Sequence, residues 1–363
     1  MIRIFPQLFS YVTIILGMCL WIEIPATVSA SPPISTNTQV VSLEQVQRVH
    51  IETLALTERG VQDSSTLQQV ISERLAQVGF TPVQESNRPH DIIVRVKCEE
   101  RKVWTGPSQH RKVGHSLLTA SRLWKGPVCH ISYRHQGKPA HWNREVRTSF
   151  EEPRQAAKTA GVTNAGLYAL QELRTQLVHD EFPLYLAAEW GQADRLITVF
   201  QQTTNHLDRR LLILQLLGPL TSSTVLPTLQ EATQTPELAL TAITALGNQG
   251  EIAIPTLAKI LDIPGNFDQQ LAALQSLGEI ATHSKAPALY DKFVQQLQSQ
   301  DPRMQTVAVR GLGKLGNQRA IPPLETLNLQ AWTTPSTHAD IQALREALNW
   351  CLWQLNPESH TGE

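Results

Sequence analysis

The residues best equipped for chemistry lie between Asp91 and Arg147, where twelve lysines and arginines stand against four acids in a chain of net charge -1. Guanidinium groups grip phosphate and carboxylate oxygens in a bidentate fork, and flat rings lie well on sugars or lipid headgroups. Trp104, Trp124 and Trp142 are interleaved with these cations. The centre of this candidate patch is Arg95, Lys97, Arg101, Lys102, Arg111 and Lys112 with Trp104 and Trp124, and the ligand it implies is an anionic envelope component. The alternative is a solvated strand face whose charges keep sheet edges from pairing.

The same stretch holds His110, His115, His130, His135 and His141. His130 and His135 are five residues apart, which on a strand places them on opposite faces, and no cysteine or carboxylate set of recognised spacing accompanies them. No metal is expected. A Gly-x-Ser-x-Gly elbow and a P-loop are missing, and no Gly-x-Gly-x-x-Gly follows a strand pattern. The reading is therefore non-enzymatic, with no catalytic residue and no cofactor. Charge and aromatics would suit nucleic acid, but the export pattern described below argues against that partner.

Period-two alternation in Ile92-Val94-Val96-Cys98 and in Cys129-Ile131-Tyr133 sets Cys98 and Cys129 on apolar strand faces. A cross-strand disulfide is one reading and two buried thiols the other, because register is not legible in the sequence. Cys351, between Trp350 and Leu352-Trp353, reads as a small apolar residue on a terminal helix. Residues 46–180 follow the order strand, helix, strand, strand, strand, helix. The strands are Val49–Leu56, Ile92–Lys102, Val128–His135 and His141–Phe150, the last two joined at Gln136-Gly137-Lys138. The closing helix is expected over Gln155–Val178, and the natural solution is an α+β layer of three or four strands under two helices. That order resembles small periplasmic β-α-β-β-α domains, such as those of the TolB N-terminal family and of some outer-membrane assembly lipoproteins.

Arg3, the apolar stretch Leu8–Leu20 and Val28-Ser29-Ala30 have the form of an export signal cleaved after Ala30. An uncleaved membrane anchor is the alternative, since the apolar run extends through Trp21 and Ile22. Met18 before Cys19 argues against lipidation. Residues 31–45 read as a linker. The expected location is the periplasm, with membrane attachment only if the signal stays uncleaved.

The second half repeats itself. Leu217-Gly218, Leu246-Gly247, Leu277-Gly278 and Leu315-Gly316 are spaced by 29, 31 and 38 residues, and each is followed by a Pro-x-Leu restart at Pro227, Pro255, Pro287 or Pro322. Each unit predicts a helix stopped by a left-handed glycine cap, then a second helix opened by proline. Gly218, Gly247, Gly278 and Gly316 are the expected caps. Such a pair cannot bury its apolar faces alone, so neighbours must stack. The Ala/Leu-rich first helices, the Leu-Gly stops and the Pro-x-Leu restarts resemble short bacterial repeats of the HEAT superfamily over roughly 182–330. A HEAT-like α-solenoid over 181–335 is expected to fold by itself, closed by a capping helix over 336–357 in which Trp350 and Trp353 widen the buried stripe.

The resemblance implies a scaffold that binds a protein partner on its concave surface, lined by the second helices. Gln230, Glu231, Lys259, Asp262, Asp291 and Lys292 would set specificity there. Similar repeats in phycobilin lyases and in proteins that dock on enzymes make a lyase-type or docking role one alternative. An envelope lipid or polysaccharide binder acting through the basic stretch is the other.

Overall fold

The computed structural model describes residues 41–100, 103–105, 123–333 and 338–356. The leader pattern of residues 1–30 and the cations Arg101, Lys102, Arg111 and Lys112 lie outside the described residues. Strands β1 (Arg48–Thr57) and β2 (Gly60–Gln62), helix α1 (Ser65–Gln77), and strands β3 (Thr81–Val83) and β4 (Ile92–Glu99) come first. A ribbon of β5 (Val103–Thr105) and β6 (Leu123–Lys125) is followed by β7 (Val128–His135) and β8 (Lys138–Arg147).

The main sheet runs β2-β1-β4-β7-β8, with β3 beside β1. β1 and β4 are parallel, with α1 in the connection between them, whereas β7 is antiparallel to both β4 and β8. Six strands stand where three or four were expected, because β2 and β3 are three-residue strands on the flank of β1, too short to alternate visibly. The alternation itself holds: Ile92, Val94, Val96 and Cys98 point into the core, while Arg95 and Lys97 point away. Gln136 and Gly137 both take positive φ, 52° and 75°, which suits a two-residue hairpin between twisted strands.

The helix expected over Gln155–Val178 is two, α2 (Pro153–Thr159) and α3 (Ala165–His179). Gly161, at φ 72°, turns the chain, and the Asn164 side chain then caps α3 by accepting from the Leu167 N–H. Leu167, in the first turn of α3, is half exposed.

Helix pairs follow. They are α4 (Phe182–Glu189) and α5 (Ala193–Gln202), α6 (Leu207–Leu217) and α7 (Val225–Ala232), α8 (Pro236–Gly247) and α9 (Ile254–Asp262), α10 (Phe267–His283) and α11 (Pro287–Gln296), and α12 (Pro302–Leu315) and α13 (Ile321–Thr333), closed by α14 (Ala339–Leu355). The first helices α6, α8, α10, α12 and α14 pack in series. Pro255, Pro287 and Pro322 lie at the first or second residue of their helices, where a missing N–H has no partner to lose.

Only one of the four expected caps is a left-handed cap. Gly316 ends α12 at φ 65°, but Gly218 has φ -48°, and Gly247 and Gly278 continue their helices without positive φ. Two of these corrections have a packing reason. A Cβ on Gly247 would meet Ser276 of α10 at 3.0 Å, and one on Gly218 would meet the Asn248 side chain at 3.0 Å. At these two positions glycine serves the approach of one repeat to the next. The spacing Gly311, Gly313, Gly316 equals that of a dinucleotide motif, but it lies at the end of a helix and not after a strand.

In α14, Leu344, Ala347, Leu348, Cys351 and Leu355 are buried, and burial pushes the Cys351 thiol up to about 12. Trp350 and Trp353 do not widen that stripe; they remain 49% and 56% exposed. Among the described residues α14 packs chiefly on α12 and α13, and neither indole is fully covered by them.

The packing does not break near residue 181. One apolar cluster runs from Val46 to Leu355. Trp190, 1% exposed at the end of α4, sets its ring edge-on to Phe80 at 5.2 Å and to Tyr133 at 5.5 Å. Arg144 of β8 grips Asp180 with two hydrogen bonds of 2.9 and 2.8 Å and lies over the Tyr185 ring. Gln192 donates to the carbonyls of Leu43 and Val46, so the last residues of the expected linker are tied to the solenoid.

Candidate interaction surfaces

Helices α1 and α3 pack on the core face of the sheet, and the other face carries the charged residues of the strands. Strand register sets Glu52, Arg95, Ser132 and Asn143 in one row and Leu54, Lys97, His130 and Glu145 in the next. Arg95 pairs with Glu52, Lys97 with Glu99, and Arg147 with Glu145, which also lies 3.6 Å from His130. Of the candidate patch, the structure brings Arg95 and Lys97 onto one face and places Trp104 opposite Trp124 in the β5–β6 ribbon. Glu52 on the neighbouring strand offsets Arg95, and Glu99 on the same strand offsets Lys97. His135 points elsewhere and meets the Val41 carbonyl at 2.9 Å.

Behind this face, Cys98 and Cys129 are register partners on β4 and β7, fully buried and joined by a disulfide. The bond closes the base of the connection between the two strands. Nearby, the Tyr133 hydroxyl donates to Glu189 at 3.0 Å, and burial together with that carboxylate pushes its pKa up to about 12.

On the solenoid, α8, α10 and α12 enclose an open groove of about 450 Å³. Its walls carry Asn248, Gln275, Glu279, Arg310 and Lys314, and Gly247 and Gly311 form part of the lining. Lys314 pairs with Glu279 at 2.8 Å across adjacent helices, while Arg310 is exposed. Three of the six specificity residues expected on the second helices are held by neighbouring repeats: Gln230 donates to Thr256, and Lys292 pairs with Asp262 at 2.7 Å. Glu231, Lys259 and Asp291 are exposed.

Two larger clefts have charged linings that are engaged in part. In the cleft of about 580 Å³ beside α2, Arg154 pairs with Glu58, and Glu100 accepts from the Glu58 N–H. In the cleft of about 790 Å³ beside α5, Arg195 donates to Gln192, Gln47 and the Val78 carbonyl. Among the described residues, no group of three or more His, Cys, Asp or Glu is arranged to hold a metal ion.

Sequence reasoning missed the side chains that bind one repeat to the next. Gln249 donates to the carbonyls of Gly218 and Leu220, at the C-terminal end of α6, and Ser276 donates to Ile243 at 3.0 Å. Lys285 caps α12 by donating to the Lys314 and Leu315 carbonyls. The string Leu-Gly-Asn-Gln, present at 246–249 and again at 315–318, was the available signal for Gln249.

Residues 305–327, from α12 into α13, match the family model described as PBS lyase HEAT-like repeat. No curated protein matches the sequence. Among solved structures, a designed armadillo repeat protein in complex with the peptide (KR)4 is similar over 55% of this chain and 99% of its own, at 13% identity and a TM-score of 0.36. The stacked helix pairs and the matched unit together make the C-terminal region a HEAT-like repeat solenoid that follows an α+β sheet region.

Proposed function

We propose that this is an exported, non-enzymatic scaffold that holds a protein partner on its solenoid. The observation that carries the partner surface is the groove over α8, α10 and α12, where an exposed Arg310 and polar Gln275 and Asn248 surround a depression opened by glycines. Small residues at the floor and hydrogen-bonding groups on the walls suit an extended segment of a partner chain. Export is supported by the leader pattern of residues 1–30 and by the buried Cys98–Cys129 disulfide, a bond that persists in oxidising compartments.

A photo-crosslinking residue introduced at Gln275 or Arg310 should capture one protein from intact cells, while the same residue at Lys259, on a second helix, should not. Equal capture from Lys259 would move the surface to the second helices, and capture from neither would remove the scaffold reading. For location, the wild-type chain from a periplasmic extract, denatured to expose both sulfurs, should resist thiol alkylation at Cys98 and Cys129 until reduced. Recovery of the chain only in the cytoplasm, with both thiols free, would overturn export.

A further inference from the structure

Two histidines forty residues apart in sequence meet at one edge of the sheet. His50, on β1, is nearly buried, and His90 lies in the turn that leads into β4; their ring centroids are 5.2 Å apart and the planes are tilted by 39°. Each ring commits Nδ1 to a backbone carbonyl, His50 to Val83 at 3.0 Å and His90 to Arg88 at 2.9 Å. A carbonyl can only accept, so the neutral form of each ring carries its proton on Nδ1 and its lone pair on Nε2. The same Nδ1–H to carbonyl bond orients the imidazole and raises the basicity of Nε2 in metal-bound histidines.

We propose that His50 and His90 form a two-histidine site for a borderline divalent cation, Zn²⁺ or Cu²⁺, bound through both Nε2 atoms. The separation fits. Two imidazoles on one tetrahedral ion, with Nε2 about 2.05 Å from the metal and about 1.15 Å from its own ring centre, have centroids about 5.2 Å apart. The carboxylates adjacent in sequence are committed elsewhere: Asp91 accepts from Arg48 and from the Gln47 N–H, and Glu52 pairs with Arg95. Two protein ligands leave the remaining positions to water, so the ion would be exchangeable, and Cu²⁺ would be held more tightly than Zn²⁺.

The test uses the untagged full chain. Calorimetric titration with ZnCl₂ should show one saturable site that weakens at least about tenfold in His90→Gln, and one equivalent of Cu²⁺ should show nitrogen hyperfine coupling in its EPR spectrum that falls in the variant. His90 is the position to change because His50 is buried against Val83 and its loss could unfold the sheet. Without metal, His90→Gln should melt with wild type, and His141→Gln on the opposite edge of the sheet should bind as wild type does. No saturable uptake by wild type, or uptake unchanged in His90→Gln, would reduce the pair to an ordinary ring contact and overturn the site.

Discussion

Gly278 and Gly311 occupy the middle or late turns of long helices, α10 and α12, and the same substitution at each is expected to act with opposite sign. In a helix interior alanine is better than glycine by roughly 0.5–1 kcal/mol, because glycine loses more backbone freedom on folding. At Gly278 a Cβ meets nothing within 4 Å, so Gly278→Ala should realise that gain in full. At Gly311 the Cβ would lie 2.5, 2.6 and 2.8 Å from Cε1, Cζ and Cδ1 of Phe293. That ring is fully buried on α11 and cannot swing into solvent. Overpacking of this kind costs about 1–3 kcal/mol, and set against a helix gain of roughly 0.5–1 kcal/mol it leaves Gly311→Ala destabilising by up to about 2.5 kcal/mol. Urea unfolding followed by far-ultraviolet circular dichroism measures both variants, and Phe293→Leu in the Gly311→Ala background should recover part of the loss, giving a coupling of opposite sign to the single change. A Gly311→Ala protein as stable as wild type or more so, or two shifts in the same direction, would refute the packing argument.

Three further outcomes follow from the contacts. Gln249→Leu removes the donor that bridges α6 to the next repeat and should cost about 1 kcal/mol or more, read as a lower urea midpoint with an unchanged m-value. A fragment beginning at Glu181 strips Phe80 and Tyr133 from Trp190 and Arg144 from the Tyr185 ring, so it should aggregate or melt well below the full chain; a monomeric fragment with the full chain's melting point in sedimentation and calorimetry would show that the shared core is dispensable. Burial pushes the Asp91 carboxyl up, but hydrogen bonds from the Arg48 guanidinium and from the Arg48 and Gln47 N–H groups outweigh it and hold the carboxyl below its usual range. A depressed folded-state pKa means stability that is present above the unfolded value of about 3.9 and is lost as pH falls through the folded value. Asp91→Asn should therefore lower the melting temperature at pH 7, with the gap to wild type closing in acid, and a gap independent of pH would show that the charge of Asp91 does not contribute.

Local pattern alone determined a good part of this molecule. Alternation in Ile92–Cys98 announces a strand with one buried face, Gln136-Gly137 a tight hairpin, and the prolines at 255, 287 and 322 the starts of second helices, because each depends on a few neighbouring dihedrals and on the period of the side chains. What lies opposite a residue is not a local property. Leu-Gly recurs four times, yet one glycine caps a helix in the left-handed conformation, two admit the next repeat, and at Gly278 an added Cβ would meet nothing, distinctions made only when helices are laid side by side. Trp350 and Trp353 belong to an apolar-looking stripe but stay exposed, because the packing of α14 on α12 and α13 buries the face of Leu348, Cys351 and Leu355 instead. Strand register, which joins Cys98 to Cys129 and offsets Arg95 with Glu52, and the turn that lays His90 against His50 depend on residues tens of positions apart. Such pairings are decided by the packing of the whole sheet and the core it shares with the solenoid, since a shift of one residue in register would turn every one of these side chains to the other face.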